Sequence, residues 1–477
     1  MKNMKHAPRA PRGKAFRNGA YASLLTALAV AAVILVNLVV GALPAKYTQF
    51  DLSETGLYTL TDTSKQILAA LEQDVQVYYL AQTGSEDANV TALLEQYAGE
   101  SRHISWQQKD PAIYPTFARQ HNAQGASDGS LIFESGSRTK VVDASELYLY
   151  DYSSYYTTGS YSVSFDGENQ MTSAVQYVTA AQLPTVYQLT GHGEAELSGS
   201  LQSALGLQNI QLSTLNLLSG EIPEDAAALV LYGPSSDFAA EDIDRLRAYL
   251  DGGGSLLVCT DPATSTPNLN ALLAEYGLSS VEGLVIEGDA NYHQRGYDYY
   301  LLPTVNTHEA TSGLGQGLYV LAPWAQGLQT AEELPEGVSV NPLLTTSNQA
   351  YSKLAGYDMS TTAREEGDLD GPFTLAAAAT KETDAGTAKL IWLACPILLS
   401  EQANTASAGA NGQFALGCVT WLAGQDAATL IAAKSMMIEG LSLTASQANF
   451  WAVLFTLVLP LALLAAGITV TLKRRRR

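Results

Sequence analysis

The sequence predicts an α/β protein: a largely parallel, covered sheet framed by two apolar segments. Three observations carry this. A short apolar run, Thr185 to Leu189, enters Gly191-His192-Gly193-Glu194, and Leu197, Leu201 and Leu205 then mark one helical face. Strand, glycine-flanked turn and helix is how a doubly wound domain opens, with its ligand crevice at such strand ends. Strand and helix patterns then alternate, which implies parallel strands buried on both faces. Finally, residues 20–43 and 450–472 contain no charged side chain.

In chain order, residues 1–18 are a basic tail, and residues 19–43 form a first apolar segment long enough to cross a bilayer. A cleavable signal peptide would have a shorter apolar run ending in small residues, and 41–45 fit that pattern poorly, so an uncleaved anchor is expected. Residues 450–472 form a second span with Pro460 at its centre, which kinks a membrane helix, and 473–477 are a second basic tail. A wall-anchored surface protein needs a sorting signal ahead of the last span, and the nearby Leu459-Pro460 lies within it. Basic flanks on the outer ends of both spans put both termini in the cytoplasm and residues 44–449 outside the cell membrane.

Of the 26 Lys and Arg, eleven lie in the two tails, whereas no acidic residue precedes Asp51 or follows Glu439. The region between carries 15 basic and 47 acidic groups, a net charge of −32. Such a surface repels nucleic acid. Cys259, Cys395 and Cys418 are odd in number and far apart, so they read as buried hydrophobes rather than a disulfide or metal set.

Within 44–147, Thr61 or Asp62 caps a helix bearing Ile67, Leu68 and Leu71. Val75, Val77 and Tyr79 alternate as a strand, and Val90, Leu93, Leu94 and Tyr97 mark a second helix. Strands follow near 104–106, 130–133 and 139–142. This order predicts a small α/β module, thioredoxin-like in plan but without the C-x-x-C of redox chemistry. Residues 148–182 form a Tyr-rich loop and connector: six tyrosines fall in 148–161, read as a polar loop with a contact surface as the alternative, and 165–180 reads as a connecting strand and helix. The main domain occupies 183–424. Its strands lie near 210–218, 228–232, 255–259, 373–378 and 390–395, with Asp237 as cap of a helix bearing Ile243, Leu246 and Leu250. Further helices lie near 268–276 and 414–422, and an irregular insertion spans 287–302. Residues 425–449 connect to the second span.

These residues resemble the GldG-like family, the auxiliary, substrate-binding-like subunits of gliding-motility-type ABC transporters. The resemblance rests on Leu189 to Glu194, on Ile222-Pro223-Glu224-Asp225-Ala226 through Gly233-Pro234, and on Tyr249 to Leu257. Pro267 to Asn270, Leu344 to Ser347, Asp51-Leu52-Ser53 and Tyr58 to Thr61 add to it. It implies a central domain like the class I glutamine amidotransferases, association with an ABC permease and an ABC ATPase, and an extracytoplasmic ligand that the residues do not name.

The strand ends offer Gly191, His192, Gly193, Glu194, Gly233, Ser235, Asp261 and Thr346 as ligand- or partner-binding candidates. Glycines allow close backbone approach, and a helix N-terminus favours anions. The alternative is that His192 and Glu194 simply fix the turn. An amidotransferase nucleophile needs an exposed Cys at a strand-to-helix elbow with a His partner. Cys259 lacks a glycine-flanked elbow. The histidines show no metal spacing and no phosphate-binding loop is present, so neither a metal, a cofactor nor nucleotide hydrolysis is expected of this chain. The competing classes are an extracytoplasmic hydrolase or transferase using the Gly-His-Gly-Glu turn, and a purely structural scaffold.

Overall fold

The computed structural model describes residues 21, 24–35, 56–57, 59–151, 159–315, 317–425, 431–436 and 445–475. Near the N-terminus, helix α1 (Asp62–Ala69) starts where Thr61 accepts from the Ser64 amide, the expected cap. Strand β1 (Val75–Leu80), helix α2 (Ala88–Glu100) and β2 (Ile104–Lys109) follow, then β3 (Leu131–Ser135) and β4 (Arg138–Val142). They build one sheet in the order β2-β1-β3-β4, with β1 and β2 parallel and β3 and β4 antiparallel.

A strand runs through the start of the stretch expected to be polar loop, and a helix lies where a connecting strand and helix are expected. Strands β5 (Tyr148–Asp151) and β6 (Ser162–Phe165) pair antiparallel, and helix α3 (Gly167–Thr179) follows. Met171, Ala174, Val175 and Val178 of α3 pack with Val77, Leu94 and Phe133 in a single core. The connector therefore closes the open face of the first sheet.

The main sheet contains β7 (Thr185–Thr190), β8 (Gln211–Asn216), β9 (Ala226–Tyr232) and β10 (Ser255–Cys259). Strands β11 (Leu278–Ser280), β12 (Leu328–Thr330), β13 (Val338–Thr345), β14 (Thr374–Thr383) and β15 (Gly386–Leu393) complete the part that matters here. Its order is β11-β12-β14-β15-β10-β9-β7-β8, with β13 also on β14. The five strands from β15 to β8 are parallel, as the alternation predicts. Beyond β15 the sheet is antiparallel, because β14 and β15 form a direct hairpin with no helix between them. The sheet is therefore mixed rather than largely parallel throughout.

Both faces of the parallel half are covered. Ala228, Val230 and Tyr232 of β9 face helices α4 (Gly199–Leu207) and α7 (Ala410–Leu422). Leu229 and Leu231 face α5 (Ala240–Asp251) and α6 (Pro267–Ala274). Residues alternate sides along a strand, so two covered faces require the unbroken apolar run seen in the sequence. Asp237 does not cap α5, whose N-cap position is Ala239 and which has no side-chain cap. Its carboxylate instead accepts from the Asn268 and Leu269 amides at the start of α6, tying the two helices together.

Two membrane-facing observations complete the fold. Residues 449–469 lie in an apolar helix running from Ala445 to Arg475, and 21 residues at 1.5 Å each reach about 31 Å. This is the candidate membrane helix among the described residues. Its turn over Leu454–Val458 is π-helical, just ahead of Pro460. Proline lacks the amide that would bond the carbonyl four residues back and its ring crowds that turn, so the helix widens there. Of the expected first span, Leu24–Leu35 is an apolar helix, and the rest lies outside the described residues apart from Tyr21. A short strand β16 (Lys434–Ser435) pairs with β6 and thus brings the chain preceding the last helix back to the first module.

Candidate functional site

The turn after β7 is organised inward. The His192 imidazole is 5% exposed and stacks on Phe238, with ring centroids 3.9 Å apart. Its Nε2 lies 3.1 Å from Asp242 Oδ2, and its Nδ1 lies 3.5 Å from Glu194 Oε1. The His192 amide donates to Glu194 Oε2 at 2.7 Å. Its carbonyl accepts from the Ser235 and Ser236 amides at 3.0 and 3.1 Å, and from both hydroxyls. The turn after β7 is thereby sewn to the turn after β9.

Gly193 has φ of +76°, and a Cβ there would sit 1.9 Å from Ser235 Oγ. Only glycine combines that backbone region with that close approach. The helix does not follow at once: α4 begins at Gly199, with Ser198 as its cap. His192 and Glu194 therefore stand outside any helix N-terminus.

Gly233, Asp261 and Thr346 lie at the same sheet edge, because β9, β10 and β13 all end there. The edge is long. From the β7 turn to Thr346 there are five strand spacings, or about 24 Å. Gly233 donates its amide to the Cys259 carbonyl. Asp261 accepts from the Tyr357 hydroxyl at 3.3 Å and from the Ala263 amide at 2.8 Å. Thr346 is buried and turned to the backbone: its amide donates to the Phe373 carbonyl, and its hydroxyl accepts the Phe373 amide at 2.8 Å. The candidates thus form a row rather than a cluster, with Gly191, Gly193 and Ser235 exposed, Asp261 half-buried, and His192 and Thr346 inside. A cleft of about 590 Å³ lined by Thr304, Asn306, His308, Ser312 and Tyr319 adjoins the Thr346 end, where Asn306 donates to the Thr345 hydroxyl.

The chemistry available at this edge is limited. Burial pushes the Cys259 thiol well above its ordinary pKa and Cys395 up to about 12. Each thiol points to a carbonyl, Cys395 O and Pro323 O respectively. A buried, protonated thiol is a poor nucleophile. Ser235 faces the His192 carbonyl rather than its ring, while both ring nitrogens face carboxylates. That arrangement offers no base to a serine. Among the described residues no three His, Cys, Asp or Glu side chains gather as a metal site.

Sequence reasoning missed Asp242, the carboxylate facing His192. The signal was present: Asp242 shares a helical face with Leu246 and Leu250, and a charge on an apolar face marks a buried partner.

Fold and edge together define an α/β domain with a structurally locked turn at its strand ends, on a chain that also carries an apolar helix. Residues 183–391 match the family described as ABC-type uncharacterized transport system, which supports an ABC-transport auxiliary family. Residues 54–145 match a domain of unknown function, DUF7088. The family match suggests a non-catalytic role, implies partnership with transporter components, and is compatible with membrane association.

No curated protein matches the chain. Among solved structures it is similar to the mmIFT52 N-terminal domain, at 20% identity over 50% of this chain and 97% of that one, with a TM-score of 0.37. It is also similar to the cytoplasmic protein STM3548 from Salmonella typhimurium, at 10% identity over 52% and 100%, TM-score 0.29. A third is PurLQS from Thermotoga maritima, at 10% identity over 50% and 100%, TM-score 0.25.

Proposed function

We propose that the chain is the auxiliary, GldG-like subunit of an ABC-type transport system, anchored by two spans with both termini cytoplasmic and residues 44–449 outside the cell membrane. The observation that carries this is the match of residues 183–391, which hold nearly all of the parallel half of the main sheet, to a transport-system family, in a chain whose last helix is long and apolar enough to cross a bilayer. An ABC permease and an ABC ATPase are the expected partners. The β2-β1-β3-β4 order supports a thioredoxin-like plan for the first module, and the five parallel strands with helices on both faces support an amidotransferase-like plan for the second.

In this reading the sheet edge binds an extracytoplasmic ligand or envelope partner without turning it over. Gly191, Gly193, Ser235 and Asp261 present the contact surface, with Gly233 shaping it. His192, Glu194 and Thr346 hold its shape. Purification in mild detergent should recover a permease and an ATPase in fixed proportion with the intact chain. Their consistent absence overturns the assignment.

A further inference from the structure

Residues 148–161 hold six tyrosines, and the function proposed above makes no use of them. Among the described residues, Tyr148 and Tyr150 lie in β5 of the three-stranded sheet β16-β6-β5, and Tyr161 directly precedes β6. Tyr148 is spoken for: its hydroxyl donates to Asp87 and its ring packs on Phe165. Leu149, Tyr150 and Tyr161 are instead 50%, 55% and 49% exposed, and the Tyr150 and Tyr161 rings lie 6.2 Å apart.

The register gives this patch a direction. Lys434 pairs with Phe165 and Ser435 with Ser164, and the Met436 amide then donates to the Val163 carbonyl. The chain therefore leaves the sheet running along β6 toward Tyr161. Tyr150 and Asp151, paired with Val163 and Ser162, lie at that same end. From Met436 only nine peptide steps remain to Ala445, where the apolar helix begins, a reach of about 30 Å at full extension. Lys434 itself, paired with Phe165 at the other end of β6, donates to the Thr59 carbonyl.

We infer that the exposed end of the β5–β6 pair is a membrane-interface anchor that enters edge-on, with Tyr150 and Tyr161 on one face and Leu149 on the other, all seated at the headgroup level of the bilayer that holds the last helix. Tyrosine suits that layer, because its ring is apolar and its hydroxyl stays wet. Of the three side chains none carries a charge, in an outer region that is strongly acidic. The inference rests on reading 449–469 as a membrane helix.

The test uses the full chain in phosphatidylcholine liposomes. The three native thiols are buried, so a nitroxide attaches selectively at Ser160→Cys beside the patch, at Leu464→Cys in the last helix, and at Asn348→Cys by the far sheet edge. Ser160 should share with Leu464 a preference for collision with dissolved oxygen over a water-soluble nickel chelate, and Asn348 should show the reverse. Adding Leu149→Ser, Tyr150→Ser and Tyr161→Ser should return the Ser160 label to the Asn348 pattern. Lipid contact at Leu464 with a water-exposed or merely immobilised label at Ser160 overturns the anchor and leaves the membrane helix standing. A water-exposed Leu464 overturns both.

Discussion

The Lys434 ammonium donates to the Thr59 carbonyl 2.6 Å away, across 375 positions of sequence. The same nitrogen lies 2.7 Å from Glu168 Oε2, while Glu168 Oε1 accepts from the Thr61 amide, the Thr61 hydroxyl and the Ser64 hydroxyl. Burial alone would raise the Glu168 pKa, but these donors bring it below the ordinary carboxylate value. Removing one partner of a buried pair costs more than the pair itself contributes, since the other charge stays buried. Lys434→Ala should therefore lower unfolding free energy by about 3 kcal/mol, read by denaturant titration. Lys434→Arg should recover part of it. A loss within experimental error would show that the contact is idle.

The His192 turn makes a second prediction. His192→Ala removes the ring between two buried carboxylates, leaving Glu194 only the residue-192 amide and Asp242 only Arg245 at 3.8 Å, and should cost about 2 kcal/mol in stability. Asp261→Asn changes a half-buried carboxylate and should cost under about 1 kcal/mol. If His192→Ala melts at the temperature of the parent, the turn is not the lock its geometry implies.

At Gly193 the clash and the backbone strain can be separated. Gly193→Ala should destabilise through both, and Ser235→Gly in the same chain should relieve only the clash. The residual cost of a left-handed alanine is about 1–2 kcal/mol. Full rescue by Ser235→Gly, measured in a double-mutant cycle, would rule out the strained backbone.

Asp166 supplies a pH dependence. Burial raises its pKa to about 6, against hydrogen bonds from Gln170 and Asn169 that lower it. A raised folded-state pKa favours the protonated carboxyl. Its stabilisation is complete below the unfolded value near pH 4 and is lost as pH rises through 6. Two pKa units correspond to about 3 kcal/mol. Asp166→Asn should remove this slope between pH 4 and 6 and raise stability at pH 7. An unchanged slope in urea titrations across that range counts against it.

Pro460 is the last. Pro460→Ala restores the missing amide and should close the π turn at 454–458 into regular helix. Electron-paramagnetic distances between labels at 449 and 469 should then change. No change would separate the widened turn from its proline.

The parallel half of the main sheet was legible because its strands are covered on both faces and therefore read as unbroken apolar runs. The β14–β15 hairpin was not, since Ala376 to Ala379 look the same whether their neighbours run parallel or antiparallel. The site's row of turns was legible from glycine positions. What surrounds His192 was not, because Asp242 arrives from fifty residues away and only the folded helix turns it inward. Asp237 misled for a related reason: a capping side chain reads as local, yet it serves α6, thirty residues on. The contact of Lys434 with Thr59 leaves no trace in either segment alone.

That contact also has a mechanical meaning. Any tug delivered through the last helix reaches β16 first, where Lys434 grips the strand of chain arriving from the opposite terminus. Load entering by the last helix is shared with the chain at Thr59 before it reaches the main sheet. Under the proposed anchoring, the main sheet would follow the last helix as a passenger, without being pried open by it.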